Sequence, residues 1–321
     1  VGSEMCIRDR VIDEMLAGYI ASYPDRFCKL DGYHVLLNKN EKDKVSIVIG
    51  AGGGNEPWPI GYVGEGLADA CSLGNVFAAP TAKSILNAIR YVPNEKGVLC
   101  IATNHAGDVL NFELVAGLAE MEGIHTRQIY VSDDITSAEK TQREERRGIA
   151  GVSLIVKIAA AASEAGLSLE EVYEIASMAN KNIYTVSVTT SPAYILETGQ
   201  PAYELPDGEM EYGMGFNGEK GIERTALSTA DEVMERMVQM LWEDMNLESG
   251  EEIAVFLNPY KATTVLESYT LMRKCLELLE EKGIKVYDSY VDSLFPTQGA
   301  GGFSLTFLSC LLYTSPSPRD S

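Results

Sequence analysis

The acid Asp108, the amides Asn55 and Asn217 and the imidazole of His105 all sit inside glycine-rich turns, where a backbone can close around a small polar molecule. The first turn, Gly50-Ala51-Gly52-Gly53-Gly54-Asn55-Glu56-Pro57, follows the apolar run Val45–Ile49. The second, Thr103-Asn104-His105-Ala106-Gly107-Asp108, follows the apolar run Val98–Ala102. The third spans Glu209 to Glu219 and contains Gly213, Gly215, Asn217 and Gly218. In the first two, a β-rich run, a glycine turn and a helical pattern follow one another. A parallel α/β sheet puts such turns at the carboxyl ends of strands, where these folds bind ligands. A carboxylate just after a strand and at a helix start is held ionised by nearby N–H groups and the helix dipole. There Asp108 can accept a hydroxyl proton. A plain N-cap for a helix starting at Val109, worth about 1 kcal/mol, accounts for it equally well. His105 has two readings as well, a site imidazole or a solvent-facing turn residue.

Two familiar phosphate loops are excluded. A Walker A loop needs Lys-Ser/Thr after its last glycine, where this chain has Asn55-Glu56. A dinucleotide fingerprint needs glycine at the position of Asn55.

The elements around these turns follow from hydrophobic periodicity. Strands are expected at Val45–Ile49, Gly97–Ala102, Thr126–Val131, Tyr184–Thr190, Glu252–Leu257, Lys285–Val291 and Gly302–Leu308. Helices are expected at Val11–Tyr23, Ser84–Tyr91, Val109–Glu122, Gly148–Gly166, Ser168–Asn180, Thr229–Met245 and Ala262–Lys282, with Ser168 as an N-cap. The alternation predicts an α/β fold of two α/β domains with largely parallel or mixed sheets. The boundary is expected near residue 182, giving domains over 11–182 and 183–308, with the glycine turns meeting between them.

The chain has 321 residues, 45% of them apolar, and a formal net charge of −21. Such acidity argues against nucleic acid or an anionic membrane surface as partner. No apolar run reaches the roughly 18 residues of a membrane-spanning helix, so a soluble cytoplasmic protein is expected. Residues 1–10 and 309–321 read as non-native read-through and are set aside. The remaining Cys28, Cys71, Cys100 and Cys275 have no metal-ligand spacing, and three histidines make a zinc site unexpected. Asp133-Asp134 suggests a Mg²⁺ pair, but structural or capping use is the stronger expectation.

At the three turns the chain resembles the dihydroxyacetone-binding (DhaK) subunits of dihydroxyacetone kinases. Their motifs run roughly Gly-Gly-Gly-Ser-Gly-His-Glu-Pro, Asn-Tyr-Thr-Gly-Asp and Gly-Ile-His-Gly-Glu-Pro-Gly. The resemblance continues through Gly61–Gly64, Asn75–Thr81, Asn111-Phe112, Asp133-Asp134 and Arg146–Gly151, and covers roughly Val11 to Leu308. It implies a kinase-like phosphotransferase subunit that binds a small ketose, aldose or polyol. Asp108 would be the base, Gly52, Gly53 and Gly54 would hold substrate oxygens, and Thr103 stands where the family often has lysine.

Two departures matter. Asn217 replaces the histidine that forms a covalent hemiaminal with the ketone, and Asn55 replaces the histidine thought to assist proton transfer. An amide is neither basic nor nucleophilic. Both asparagines are then expected to orient hydroxyls, or else to mark a sugar-sensing coactivator without catalysis. The resemblance also implies that this chain holds no cofactor or metal. A separate DhaL-type subunit would carry the phosphoryl donor, ATP or ADP with Mg²⁺, and the DhaK-type subunit would be a homodimer.

Overall fold

The computed structural model describes residues 10–195, 199–215 and 218–310. It divides into two compact units. Among the described residues, one takes 10–131 together with Val152–Asn180; the other takes Ser132–Gly151 together with the described residues of 181–310.

The first unit holds a six-stranded sheet in the order β1-β2-β4-β3-β5-β6. Its strands are β1 (Phe27–Lys29), β2 (Val35–Asn38), β3 (Ser46–Gly53), β4 (Ala70–Val76), β5 (Val98–Thr103) and β6 (Thr126–Val131). β4, β3, β5 and β6 run parallel, and β1 and β2 extend that core antiparallel. β3 is central and Ile47, Val48 and Ile49 are fully buried, as expected of a strand covered on both faces. Helices α2 (Ala82–Tyr91) and α3 (Ala106–Met121) cover one face, with Ile85, Ile89, Phe112 and Val115 packed on Val48 and Cys100. Helix α1 (Val11–Ser22) packs on β1 and β4, and α4 (Val152–Glu164) on β3 and β5.

Four helix starts differ from expectation by two residues or more: α2 begins at Ala82 rather than Ser84, the helix expected from Ala262 begins at Val265, and α3 and α4 shift as well. α4 begins at Val152, not Gly148, because the Ile149 and Gly151 N–H groups donate to the buried Asp133 carboxylate, at 2.7 and 2.8 Å. α3 begins at Ala106, three residues early. First-turn N–H groups have no intrahelical partner in any helix, so Gly107 is tolerated there. Helix α5 (Leu169–Lys181) is capped by Ser168, whose side chain pairs with Glu171.

The second unit holds a sheet in the order β11-β10-β12-β7-β8-β9. These are β7 (Ile183–Ser191), β8 (Glu209–Tyr212), β9 (Glu223–Ala226), β10 (Glu252–Pro259), β11 (Lys285–Val291) and β12 (Gly301–Ser309). Only the β10–β11 pair is parallel, joined by helix α7 (Val265–Glu281). Val186, Val188, Val255, Leu257, Leu305 and Phe307 pack on α7 and on α6 (Ala230–Met245). Both helices open with complete capping boxes, Thr229 with Glu232 and Thr264 with Glu267. The alternate residues Thr185, Ser187, Thr189, Ser304 and Thr306 are buried too, so the other sheet face is a hydroxyl surface. Thr185 and Thr306 meet across it at 2.8 Å.

The mixed α/β class agrees with the sequence. Five strands were not expected from it: β1, β2, β4, β8 and β9. Among the described residues no helix is long and apolar enough to cross a membrane.

Candidate functional site

β3 and β5 are parallel neighbours, with Ile49 opposite Ile101, so the first and second glycine turns leave the sheet side by side. The end of β4 and the short turn that follows it, residues 75–79, lie against both. The Gly53 carbonyl accepts from Phe77 N–H at 2.9 Å, and a Cβ on Gly107 would lie 3.1 Å from the Ala79 Cβ. A Cβ on Gly52 would come within 2.7 Å of both Ala78 N and O, and one on Gly54, where φ is +109°, within 2.6 Å of the Phe77 ring. The chain's own close packing therefore requires these glycines. Gly52→Ala is expected to cost about 1–3 kcal/mol, because backbone atoms cannot swing away. Gly117→Ala, on an exposed face of α3 with no atom within 4 Å of the new Cβ, is expected to add about 0.5–1 kcal/mol. Urea denaturation of the two variants checks both signs.

The expectation that three amides face a substrate needs one correction. Gly54 N–H already donates to the Glu56 carboxylate, at 3.0 and 3.1 Å, because that side chain folds back over the turn. Asn55 is buried, and its carbonyl accepts from Trp58 N–H at 3.1 Å.

The second turn brings Thr103 and Asp108 together. Thr103 ends β5 and is 3% exposed; Asp108 lies in the first turn of α3 and is 5% exposed. His105 occupies the N-cap position without a side-chain cap bond, so the N-cap reading of Asp108 falls. The Thr103 hydroxyl donates to Asp108 Oδ2 over a long 3.4 Å, while Oδ1 is buried with no hydrogen-bond partner. Burial pushes this carboxyl up to about 7, against the opposing pull of Thr103. The expected permanently ionised carboxylate is thus replaced by one half-charged near neutral pH, since no N–H group reaches Oδ1. A buried carboxyl oxygen without a partner, on an acid raised to about 7 by burial, is suited to take up a proton near neutral pH.

The third turn belongs to the second unit. Phe216 and Asn217 lie outside the described residues. Of its flanks, Gly213 N–H donates to the Ser187 carbonyl at 2.8 Å, and the Ser187 hydroxyl donates to the Met214 carbonyl at 3.2 Å. Gly215 N–H donates to the Glu219 carbonyl at 2.8 Å, and Gly218 N–H to the Gly215 carbonyl at 3.0 Å. Arg147 donates to the Gly213 carbonyl at 2.9 Å and to Asp134 Oδ2 at 2.8 and 3.1 Å. Asp134 Oδ1 accepts from the N–H and hydroxyl of Thr136, at 3.0 and 2.6 Å. The oxygens of Asp133 and Asp134 are therefore committed to their own fold. Sequence reasoning missed Arg147 and Thr136 as supports of this turn; its one signal was an acid pair followed by an arginine pair 13 residues on. Among the described residues no group of three His, Cys, Asp or Glu side chains is placed to hold a metal ion.

In a mixed α/β protein, a buried acid with one unpartnered oxygen at the glycine-lined end of parallel strands stands where such sheets bind small molecules. The profile of the Dak1 domain matches residues 17–314, and the chain belongs to that family. It is 38% identical over 302 residues to PTS-dependent dihydroxyacetone kinase 2, dihydroxyacetone-binding subunit DhaK, of Listeria innocua, covering 92% of this chain and 90% of that one. It is 35% identical over 297 residues to L-erythrulose kinase of Pectobacterium atrosepticum, covering 91% of this chain and 50% of the relative. Among solved structures, the dihydroxyacetone kinase operon co-activator Dha-DhaQ superposes with a TM-score of 0.87 at 31% identity, covering 92% of this chain and 91% of that one.

Proposed function

We propose that this chain is the substrate-binding subunit of a dihydroxyacetone kinase-like phosphotransferase acting on a small hydroxylated ketose, aldose or polyol. The observation that carries the reading is Asp108, a buried carboxyl with one unpartnered oxygen and a pKa near 7. It takes the proton of the substrate hydroxyl as that oxygen attacks phosphorus. Thr103 orients the acid, the amides of Gly52 and Gly53 meet substrate oxygens, and Asn55 and Asn217 orient hydroxyls. The phosphoryl group comes from a separate DhaL-type subunit carrying ATP, or ADP with a phosphoryl source, and Mg²⁺. Kinship with kinases of dihydroxyacetone and of erythrulose supports the substrate class.

With amides at 55 and 217, selectivity rests on hydrogen bonds and shape. A hydroxyl missing from a ligand leaves buried polar groups unpaired, at about 1–3 kcal/mol each. Dihydroxyacetone is therefore expected to bind weakly, without a borohydride-trappable adduct, and four- or five-carbon sugars to bind better. A thermal-shift screen over three- to five-carbon sugars reads the affinities by mass action, and intact-protein mass spectrometry reads the adduct. Asn55→His with Asn217→His is expected to move preference back toward dihydroxyacetone. Tighter wild-type binding of dihydroxyacetone than of every longer sugar, or an adduct mapping around Asn217, sinks this account of the asparagines.

A second reading is a sugar-sensing coactivator of a regulator, favoured by the loss of both imidazoles and by the likeness to the co-activator Dha-DhaQ. Sugar binding without phosphoryl transfer, in the presence of a DhaL-type subunit and its donor, selects this reading over the first.

A further inference from the structure

We propose that Phe77 is the positioning residue that sets the first glycine turn at a fixed distance from Asp108. This rests on the substrate-binding role proposed above, in which the Gly52 and Gly53 amides and the Asp108 carboxyl meet one ligand. The backbone of Phe77 has a φ of +54°, a left-handed conformation that strains a bulky residue. Among the described residues, glycine fills every other positive-φ position except that of Asn246. Asn246 is accounted for, because it ends α6 as a left-handed cap. Phe77 caps no helix, and a glycine there would be free of strain, so what the position gains is the ring. That ring lies on Gly54, with three of its carbons 2.6, 3.1 and 3.2 Å from where a Gly54 Cβ would stand. The Phe77 N–H donates to the Gly53 carbonyl at 2.9 Å, so Phe77 holds two successive residues of the turn. β4 carries one residue more than β3 between the Ala51–Leu73 and Gly53–Val76 pairs, a register shift of the bulge kind, which bends a strand end. The far end of the segment is fastened to the helix that carries Asp108. Ala79 lies against Gly107, and the Asn111 side chain of α3 accepts from Ala82 N–H at 3.2 Å and donates to the Gly107 carbonyl at 2.8 Å. Residues 77–82 thus form a strut from the first glycine turn to the N-terminal turn of α3.

The test uses the full chain with Phe77→Ala, Phe77→Gly and Phe77→Tyr. Thermal melting without ligand reads stability, and thermal shift with erythrulose and dihydroxyacetone reads affinity. Amide hydrogen exchange compares peptides over residues 50–57 with those over α3. Phe77→Gly should melt higher than Phe77→Ala, because both lack the ring and only alanine keeps the strain. In both, exchange in the glycine turn should accelerate at least about tenfold while α3 stays protected. Sugar affinity should fall about 10–100-fold in both, as for a site displaced by an ångström. Phe77→Tyr keeps a ring on the same backbone and should keep slow exchange and wild-type affinity. Affinity that returns along with melting temperature in Phe77→Gly would overturn the proposal, leaving Phe77 a packing residue only. A higher melting point for alanine than for glycine, or wild-type exchange of the turn in both ringless variants, would overturn it too. Should the wild-type chain show no shift with any sugar, the ligand reading fails by itself. The exchange arm then decides on Phe77: an accelerated turn in Phe77→Gly upholds its positioning role and an unchanged turn refutes it.

Discussion

Asp108→Asn is expected to lower phosphoryl-transfer turnover by about 10²–10⁴-fold and, at pH 8, to make the protein more stable. Both follow from one geometry. The carboxyl is buried, one oxygen has no partner, and its pKa is raised to about 7. A raised folded-state pKa means that the unfolded chain ionises first as pH climbs. Burying the charge therefore costs nothing below about pH 4, costs more through the window up to about 7, and stays constant above it. The displacement to about 7 sets that cost at no more than about 4 kcal/mol. Asparagine carries no charge, so its stability advantage should appear across the same window and vanish near pH 4. Wild-type turnover should rise with pH through about 7, as the base form populates. Urea denaturation at pH 4 and 8, and assays with a DhaL-type partner and phosphoryl donor, read the two halves. A destabilised variant at pH 8 removes the desolvated-acid account, and near wild-type turnover removes the base.

A second large effect is expected at Arg146. Its guanidinium is 1% exposed and grips Asp244 of α6 through two parallel bonds of 2.7 Å, while Nε donates to the Ala138 carbonyl at 3.1 Å. Arg146→Ala strands the Asp244 carboxylate and opens a void, and should cost about 3–5 kcal/mol. Arg146→Met with Asp244→Leu removes both charges and fills the space, and should stay within about 2 kcal/mol of wild type. Equilibrium denaturation measures the cycle. A single-variant loss under about 1 kcal/mol would mean that the pair is already solvated and holds little.

The contrast between these two sites explains what the sequence can and cannot disclose. The unit β10-α7-β11 is legible because everything that makes it is local: a β-branched run, an amphipathic stripe, and the Thr264–Glu267 capping box. β4 is not, because Ala70-Cys71-Ser72-Leu73-Gly74 carries neither alternation nor β-branched residues. It is small so that a neighbouring turn can press on it, with Ala78 O only 1.8 Å from where a Gly74 Cβ would stand. β8 and β9 escape for the opposite reason, since Glu211, Glu223 and Arg224 read as loop residues until pairing fixes them. Asp108 was visible as a residue, but its desolvation depends on how deeply α3 is seated. Arg147 was visible only as half of a basic pair, because its partner carbonyl is 66 residues away.

The path of the chain between its two units bears on how the protein is made. Residues Ser132–Gly151 emerge from the ribosome well before Ser187, Gly213 and Asp244, yet they belong to the same unit as those residues. Arg146 must wait 98 residues for the Asp244 carboxylate, so a nascent chain halted after α5 holds this guanidinium without that partner. At the synthesis rates of living cells, about 5–20 residues per second, that wait lasts several seconds or more. Cutting the gene near residue 181 produces no free-standing second half, since such a fragment lacks Asp134, Arg146 and Arg147 altogether. Supplying Ser132–Gly151 as a separate peptide, or grafting it ahead of Lys181 through a flexible linker, is the way to recover a second unit that folds alone.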